Sequence, residues 1–229
     1  DVLGSRGLGD VYKSQVYDAM FTVDHVPLQL DDHLRRFYRS AKKIDIDIPM
    51  PFEELRAMVL DFCRRIDSPD AMAYVQATRG VGMRGHAYRF AGGTPSLWVW
   101  VKPDMLDPMD RSYKAITMED TRYFHCDIKT INLLPAVIYT QRAEEAGCDE
   151  TILHRGDRVT ECAHSNVHIL KDGALKTAPC DNLILPGITR AHRIAQCREM
   201  GIPVIEEPFT VREMMEADEV FFTPSLIHI

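Results

Sequence analysis

Apolar residues return along the chain in two rhythms, and these lay out its elements. Phe52, Leu55, Val59, Phe62, Cys63 and Ile66 recur at three- and four-residue steps, which predicts an amphipathic helix over 52–66. Short β-branched, aromatic or apolar runs at 73–78, 97–101, 114–118, 150–154, 158–160 and 167–170 predict strands. Lys171-Asp-Gly173 is a tight turn after the last of them, and the Gly-rich stretch 80–95 is a long loop. The segment 131–146 predicts a helix with Pro135 in its first turn, where the missing N–H costs nothing. A second helix over 187–200 stops at Gly201-Ile-Pro203. The order is mixed α and β, in two halves.

Charge narrows the function. There are 27 Lys+Arg against 34 Asp+Glu in 229 residues, so 27 − 34 = −7 with His neutral. An acidic chain lacks the basic excess of a nucleic-acid binder. No stretch approaches the roughly 18 apolar residues of a membrane span, and no charged-then-apolar leader opens the sequence, so a cytoplasmic location is expected. Six scattered cysteines without a CxxC pair fit reduced thiols packed as small hydrophobes, with Cys126 and Cys162 set apart because they adjoin the motifs below. Residues 5–15 resemble a translated sequencing adapter, and 225–229 resemble its reverse complement. The expected organisation is therefore residues 1–15 and 225–229 as adapter, 16–102 as an N-terminal α/β domain, 103–112 as linker, and 113–224 as a C-terminal domain truncated at its end.

Two familiar patterns do not hold. Gly80-Val-Gly-Met-Arg-Gly85 matches G-x-G-x-x-G, but no helix opens after it to hold a pyrophosphate. His164 and His168 lie on a strand-like segment, where four residues span roughly 13 Å, too far for one metal ion. No metal is expected.

Other residues carry more. Arg84 and His86, at i and i+2 on an extended segment, point to one side and suit a carboxylate. Lys129 stands just before an apolar segment, where partial burial would lower its pKa and make it a nucleophile able to form a Schiff base. On position alone, a snorkelling surface lysine is the better explanation. Glu161 stands at a strand end beside Cys162 and Ala163, where burial demands a cationic partner. Gly187, Ile188 and Thr189 offer N–H groups at a helix start, plus a hydroxyl, as a phosphate cradle. A reactive lysine, a buried acid and a phosphate cradle together describe a pyridoxal 5′-phosphate (PLP) site.

The segments Asp31-Asp-His-Leu-Arg-Arg36, Thr78-Arg-Gly80, Arg84-Gly-His86, Cys126-Asp-Ile-Lys129, Val159-Thr-Glu161, Ser165-Asn166 and Leu185-Pro-Gly-Ile-Thr189 resemble, in order, the fold-type IV PLP enzymes and among them the D-amino-acid aminotransferases. The resemblance implies a small N-terminal α/β domain, a larger barrel-like C-terminal α/β domain and a homodimer. It implies that Lys129 carries the cofactor, Glu161 faces the pyridine nitrogen, and Leu185 packs on the ring. Arg36, Ile188 and Thr189 would hold the phosphate. Tyr17, Arg84 and His86 would hold the substrate carboxylate, the last two from the partner subunit. The implied reaction moves an amino group from a D-amino acid, D-alanine foremost, to a 2-oxo acid. Branched-chain or (R)-amine aminotransferases and aminodeoxychorismate lyases share the fold and stand as alternatives, as does an inactive fragment. In the loop after Glu161, Cys-Ala-His-Ser replaces the family's serine-rich run.

Overall fold

The computed structural model describes residues 15–82, 86–90, 93–105 and 111–224, and the chain forms two compact units. The adapter-like ends other than Gln15 fall outside the described residues, as does part of the expected linker, 106–110. The first unit takes residues up to Leu106 together with Ile128–Ile131; the second takes Asp107–Asp127 and everything from Asn132.

In the first unit, β1 (Gln15–Val23), β2 (Val26–Pro27), α1 (Leu30–Lys43), α2 (Phe52–Arg65), β3 (Ala71–Thr78) and β4 (Ser96–Pro103) make an antiparallel sheet in the order β2-β1-β3-β4 with two helices. Alternation sorts the faces. Val16 and Met20 of β1, Ala73, Val75 and Ala77 of β3, and Leu97, Val99 and Val101 of β4 share one core with the helices. Helix α1 enters that core through Leu30, Leu34, Phe37 and Ala41, and α2 through Leu55, Val59 and Cys63, at intervals of three or four residues. Both helices carry acids in the first turn and bases in the last, the arrangement that complements the helix dipole. Pro103, expected in the linker, ends β4.

The second unit holds β5 (Ala115–Glu119), α3 (Leu134–Glu145), β6 (Glu150–Arg155), β7 (Arg158–Cys162), β8 (Ser165–Lys171), β9 (Ala174–Thr177), α4 (Ile188–Glu199), β10 (Val204–Glu206), α5 (Val211–Met215) and β11 (Glu219–Pro224). Its sheets run β5-β6-β7 and β10-β9-β8-β11. The β8–β9 hairpin turns on Asp172 and Gly173, both at positive φ, as a two-residue turn requires. Its main core joins Ile152, Val159, Val167, Ile169, Ile184 and Phe209.

Three expectations shift. Helix α3 begins at Leu134 rather than 131, because Ile128–Ile131 is drawn back to the first unit: Tyr17 N–H donates to Lys129 O at 3.1 Å and Ile131 N–H to Gln15 O at 3.3 Å. Helix α1 and strand β1 were not foreseen at all. Of the cysteines expected to be buried, Cys180 is exposed and Cys148 and Cys197 are half-buried; all six are free thiols.

After β3 the chain turns at Gly80, with φ +95°, and a Cβ there would lie 2.4 Å from Thr94 O. Both the conformation and the close backbone approach demand glycine. Gly80→Ala is expected to cost about 1–3 kcal/mol, read as a lower urea midpoint; an unchanged midpoint would show that the turn tolerates a side chain.

Candidate active site

Each unit assembles its part of the predicted site around one buried carboxylate. In the first unit it is Asp18, on the face of β1 turned toward the helices. Arg36 of α1 donates to it from Nε to Oδ2 at 2.8 Å and from Nη2 to Oδ1 at 2.7 Å, and His33 Nδ1 lies 2.8 Å from Oδ1. Burial opposes ionisation of Asp18, but Arg36 and His33 outweigh it and hold the carboxyl well below the usual range. Burial lowers the His33 pKa despite its contact with Asp18. Arg36, expected to meet a phosphate, is thus a guanidinium fixed in place by a bidentate bond.

The same unit seats Lys129. Its N–H donates to Ser40 Oγ at 3.2 Å, and its carbonyl accepts from Tyr17 N–H. These bonds set the half-buried side chain against Tyr17. Nζ donates to the Tyr17 hydroxyl at 3.4 Å and sits 4.4 Å from the ring centroid. Two predicted site residues, Lys129 and Tyr17, are therefore brought together. His86 is exposed, and Arg84 lies outside the described residues.

In the second unit the buried carboxylate is Glu161, on β7. Arg122 donates from Nη1 to Oε1, while Oε2 accepts from Asn166 Nδ2 at 2.9 Å and from Leu185 N–H at 3.0 Å. Burial pushes the Glu161 carboxyl up to about 7, against the downward pull of Arg122 and the Leu185 N–H. Arg122 is held in turn by Asp120, which takes its Nε and Nη2 at 2.9 Å each and also accepts from Thr160 Oγ1 at 3.0 Å. Burial works against the Asp120 carboxylate, but those Arg122 bonds prevail and keep its pKa low. Neither Arg122 nor Asp120 was singled out from sequence. The signal was Asp120-Thr-Arg122 directly after a strand, where i and i+2 share a side.

Glu161, Leu185 and the start of α4 form one piece. Asn166 Nδ2 also donates to Leu185 O at 3.0 Å, and its Oδ1 lies 2.0 Å from where a Cβ on Gly187 would fall. Only glycine leaves that amide in place. Gly187 is the N-cap of α4 and makes no side-chain cap bond, so the first N–H groups, among them those of Ile188 and Thr189, face an open helix end. Thr189 Oγ1 donates to Pro224 O at 3.0 Å, so in this arrangement the cradle rests on N–H groups rather than on the hydroxyl.

The histidines considered for metal are otherwise engaged. His164 Nδ1 lies 2.9 Å from Glu150 Oε2, and the buried His168 bonds to Thr223 Oγ1 through Nε2 at 2.8 Å. Among the described residues no helix is long and apolar enough to cross a membrane.

The sequence model of the amino-transferase class IV family matches residues 15–229. The chain belongs to the class IV aminotransferases. Enzymes of this class use PLP. Among curated relatives, the chain is 40% identical over 203 residues to the D-alanine aminotransferase of Listeria monocytogenes serotype 4b, covering 87% of this chain and 70% of that protein. It is 36% identical over 216 residues to the D-alanine aminotransferase of Bacillus licheniformis, covering 93% and 76%. Among solved structures it is similar to the branched-chain aminotransferase of Thermoproteus uzoniensis with norvaline, at TM-score 0.81, 25% identity, and 93% and 75% coverage. It also shares the fold of the PLP form of the branched-chain aminotransferase of Thermobaculum terrenum, at TM-score 0.80, 23% identity, and 92% and 73% coverage. The class IV fold is thus that of an α/β fold-type IV enzyme, as the motifs implied.

Because Asp18 is held below its unfolded value of 3.8, its pairing stabilises the fold above that pH. The contribution is lost as pH falls from about 4 through the native pKa. Asp18→Asn is expected to flatten this acid limb in urea titrations between pH 7 and pH 3; an unchanged acid limb would show that Asp18 carries none of it.

Proposed function

We propose that this chain transfers the amino group of a D-amino acid, D-alanine foremost, to a 2-oxo acid such as 2-oxoglutarate, in a ping-pong cycle with PLP as the nitrogen carrier. The observation that carries this reading is the 36–41% identity to D-alanine aminotransferases over most of the chain. Fixed elements of the second unit suit the carrier. An uncapped helix start behind Gly187 suits a phosphate, and a buried acid ringed by donors suits a pyridine nitrogen.

When bound, PLP supplies an aldehyde that captures amines and a ring that accepts the electrons left at the substrate Cα. Lys129 is the amine that would hold it. Its Nζ would serve as the base that takes the substrate Cα proton and hands it back, with Tyr17 keeping it in place. Glu161 holds the proton on the pyridine nitrogen; its carboxyl, pushed up by burial, gains from such a cationic neighbour. Leu185 would pack on the ring, while Arg36 and the N–H groups of Ile188 and Thr189 would take the phosphate. Tyr17, with Arg84 and His86 of the partner subunit of a homodimer, grips the α-carboxylate. The preference for the D-isomer follows the relatives.

The test compares D- with L-alanine as donors to 2-oxoglutarate, following pyruvate. D-alanine is expected to react and L-alanine to fail, and Lys129→Ala is expected to remove turnover altogether. Equal rates, or a lysine variant that still turns over, would refute the assignment. Arg84→Ala is expected to raise the donor KM about 10-fold or more while bound PLP stays unchanged; a parallel loss of PLP would place Arg84 at the cofactor instead.

A further inference from the structure

The face of the first unit's sheet opposite the helices is lined by aromatic rings, and they are stacked. Tyr17 and Tyr74 have centroids 5.6 Å apart with planes at 21°; Tyr74 and Trp100 have centroids 4.7 Å apart at 14°. Register explains the run. Tyr74 of β3 stands directly opposite Trp100 of β4, and on its other side opposite Ala19 of β1. The alanine methyl leaves space, so the Tyr74 ring reaches the diagonal neighbour, Tyr17. Gln76, the residue opposite Tyr17, accepts the Tyr74 hydroxyl at 2.9 Å through Oε1. Burial and the neighbouring Tyr17 push the Tyr74 hydroxyl up to about 12, so it stays a neutral donor at working pH. At the far end of this run stands Lys129, its Nζ 4.4 Å from the Tyr17 centroid and 3.4 Å from the hydroxyl.

We propose that Tyr74 is a positioning residue for the site: sandwiched between Trp100 and Tyr17, it fixes the Tyr17 ring and thereby the ammonium of Lys129. A tyrosine on a half-buried strand face has more than one open rotamer. Stacking on a neighbour that is itself stacked and hydrogen-bonded removes the alternatives. Tyr74 acts through Tyr17: it stacks on that ring, and the ring faces the ammonium. The inference deepens the reading of Lys129 and Tyr17 as site residues and rests on it for its catalytic consequence, but its geometry is tested without substrate.

The experiment uses Tyr74→Leu, Tyr74→Phe and Trp100→Leu in the full chain. Without added PLP, the rate at which trinitrobenzenesulfonate modifies Lys129 is followed by peptide mass. Releasing the ammonium from the ring face is expected to speed modification about two- to fivefold in Tyr74→Leu, with a smaller rise in Trp100→Leu and none in Tyr74→Phe. With PLP loaded, the donor KM is expected to rise in the same order while kcat changes less, because Tyr17 also serves the carboxylate. A parent-like modification rate in a folded Tyr74→Leu overturns the proposal, as does a Phe variant that behaves like Leu. Should Tyr74→Leu not fold, Trp100→Leu decides, and a parent rate there overturns it. If modification rates respond but D-alanine is inert, the clamp stands and the functional reading falls.

Discussion

A carboxylate taken out of water must be surrounded by donors, and each unit of this protein is organised around that requirement. Asp18 gathers Arg36 and His33 from α1 onto β1. Glu161 gathers Arg122, Asn166 and the Leu185 N–H, and so joins β7, β8, the loop before α4 and the segment after β5. Neither acid can lose its partners without leaving an opposite charge or a strong donor stranded. The polar clusters therefore fix where the helices and loops sit, while the apolar cores supply the driving force for burial. Holding the groups of a site rigid and burying charge become the same structural task.

That task also decides what was legible in the sequence. Helix α2 and strands β3 and β4 bury only apolar or small groups on their core faces, and the hydrophobic rhythm revealed them. Helix α1 buries Leu30, Leu34, Phe37 and Ala41, but also His33, Arg36 and Ser40, and β1 buries Asp18 among Val16 and Met20. Polar residues on the inner face erase the periodicity that pattern reading depends on. The elements that carry the predicted site residues Tyr17 and Arg36 were thus hard to see from rhythm alone, and the motif resemblance found the residues but not the elements. Lys129, Glu161 and Gly187 could be picked out because each stands at a boundary: before an apolar run, at a strand end, and at a helix start. Arg122 was harder to pick out: Asp120 stands two positions away, but its other partner, Glu161, is 39 positions away. The return of Ile128–Ile131 to the first unit was hidden for the same reason, its partners on β1 lying over a hundred positions earlier.

His164, in the Cys-Ala-His-Ser run, meets an acid, Glu150, that also accepts from Ser165 Oγ and Thr151 N–H. Cys162 lies between the two clusters: burial first, then the charges of Glu150 and Glu161, push its thiol up.

The threading of Ile128–Ile131 bears on how such proteins can be divided or recombined. The backbone leaves the first unit near residue 106, returns for four residues to lie beside β1, and departs again. A gene cut once between the units would hand Lys129 to the fragment that carries Glu161, while β1, which holds that lysine's backbone, would stay with the other. Shuffling of halves between relatives must therefore preserve a stitch made by two backbone hydrogen bonds, from Tyr17 N–H to Lys129 O and from Ile131 N–H to Gln15 O.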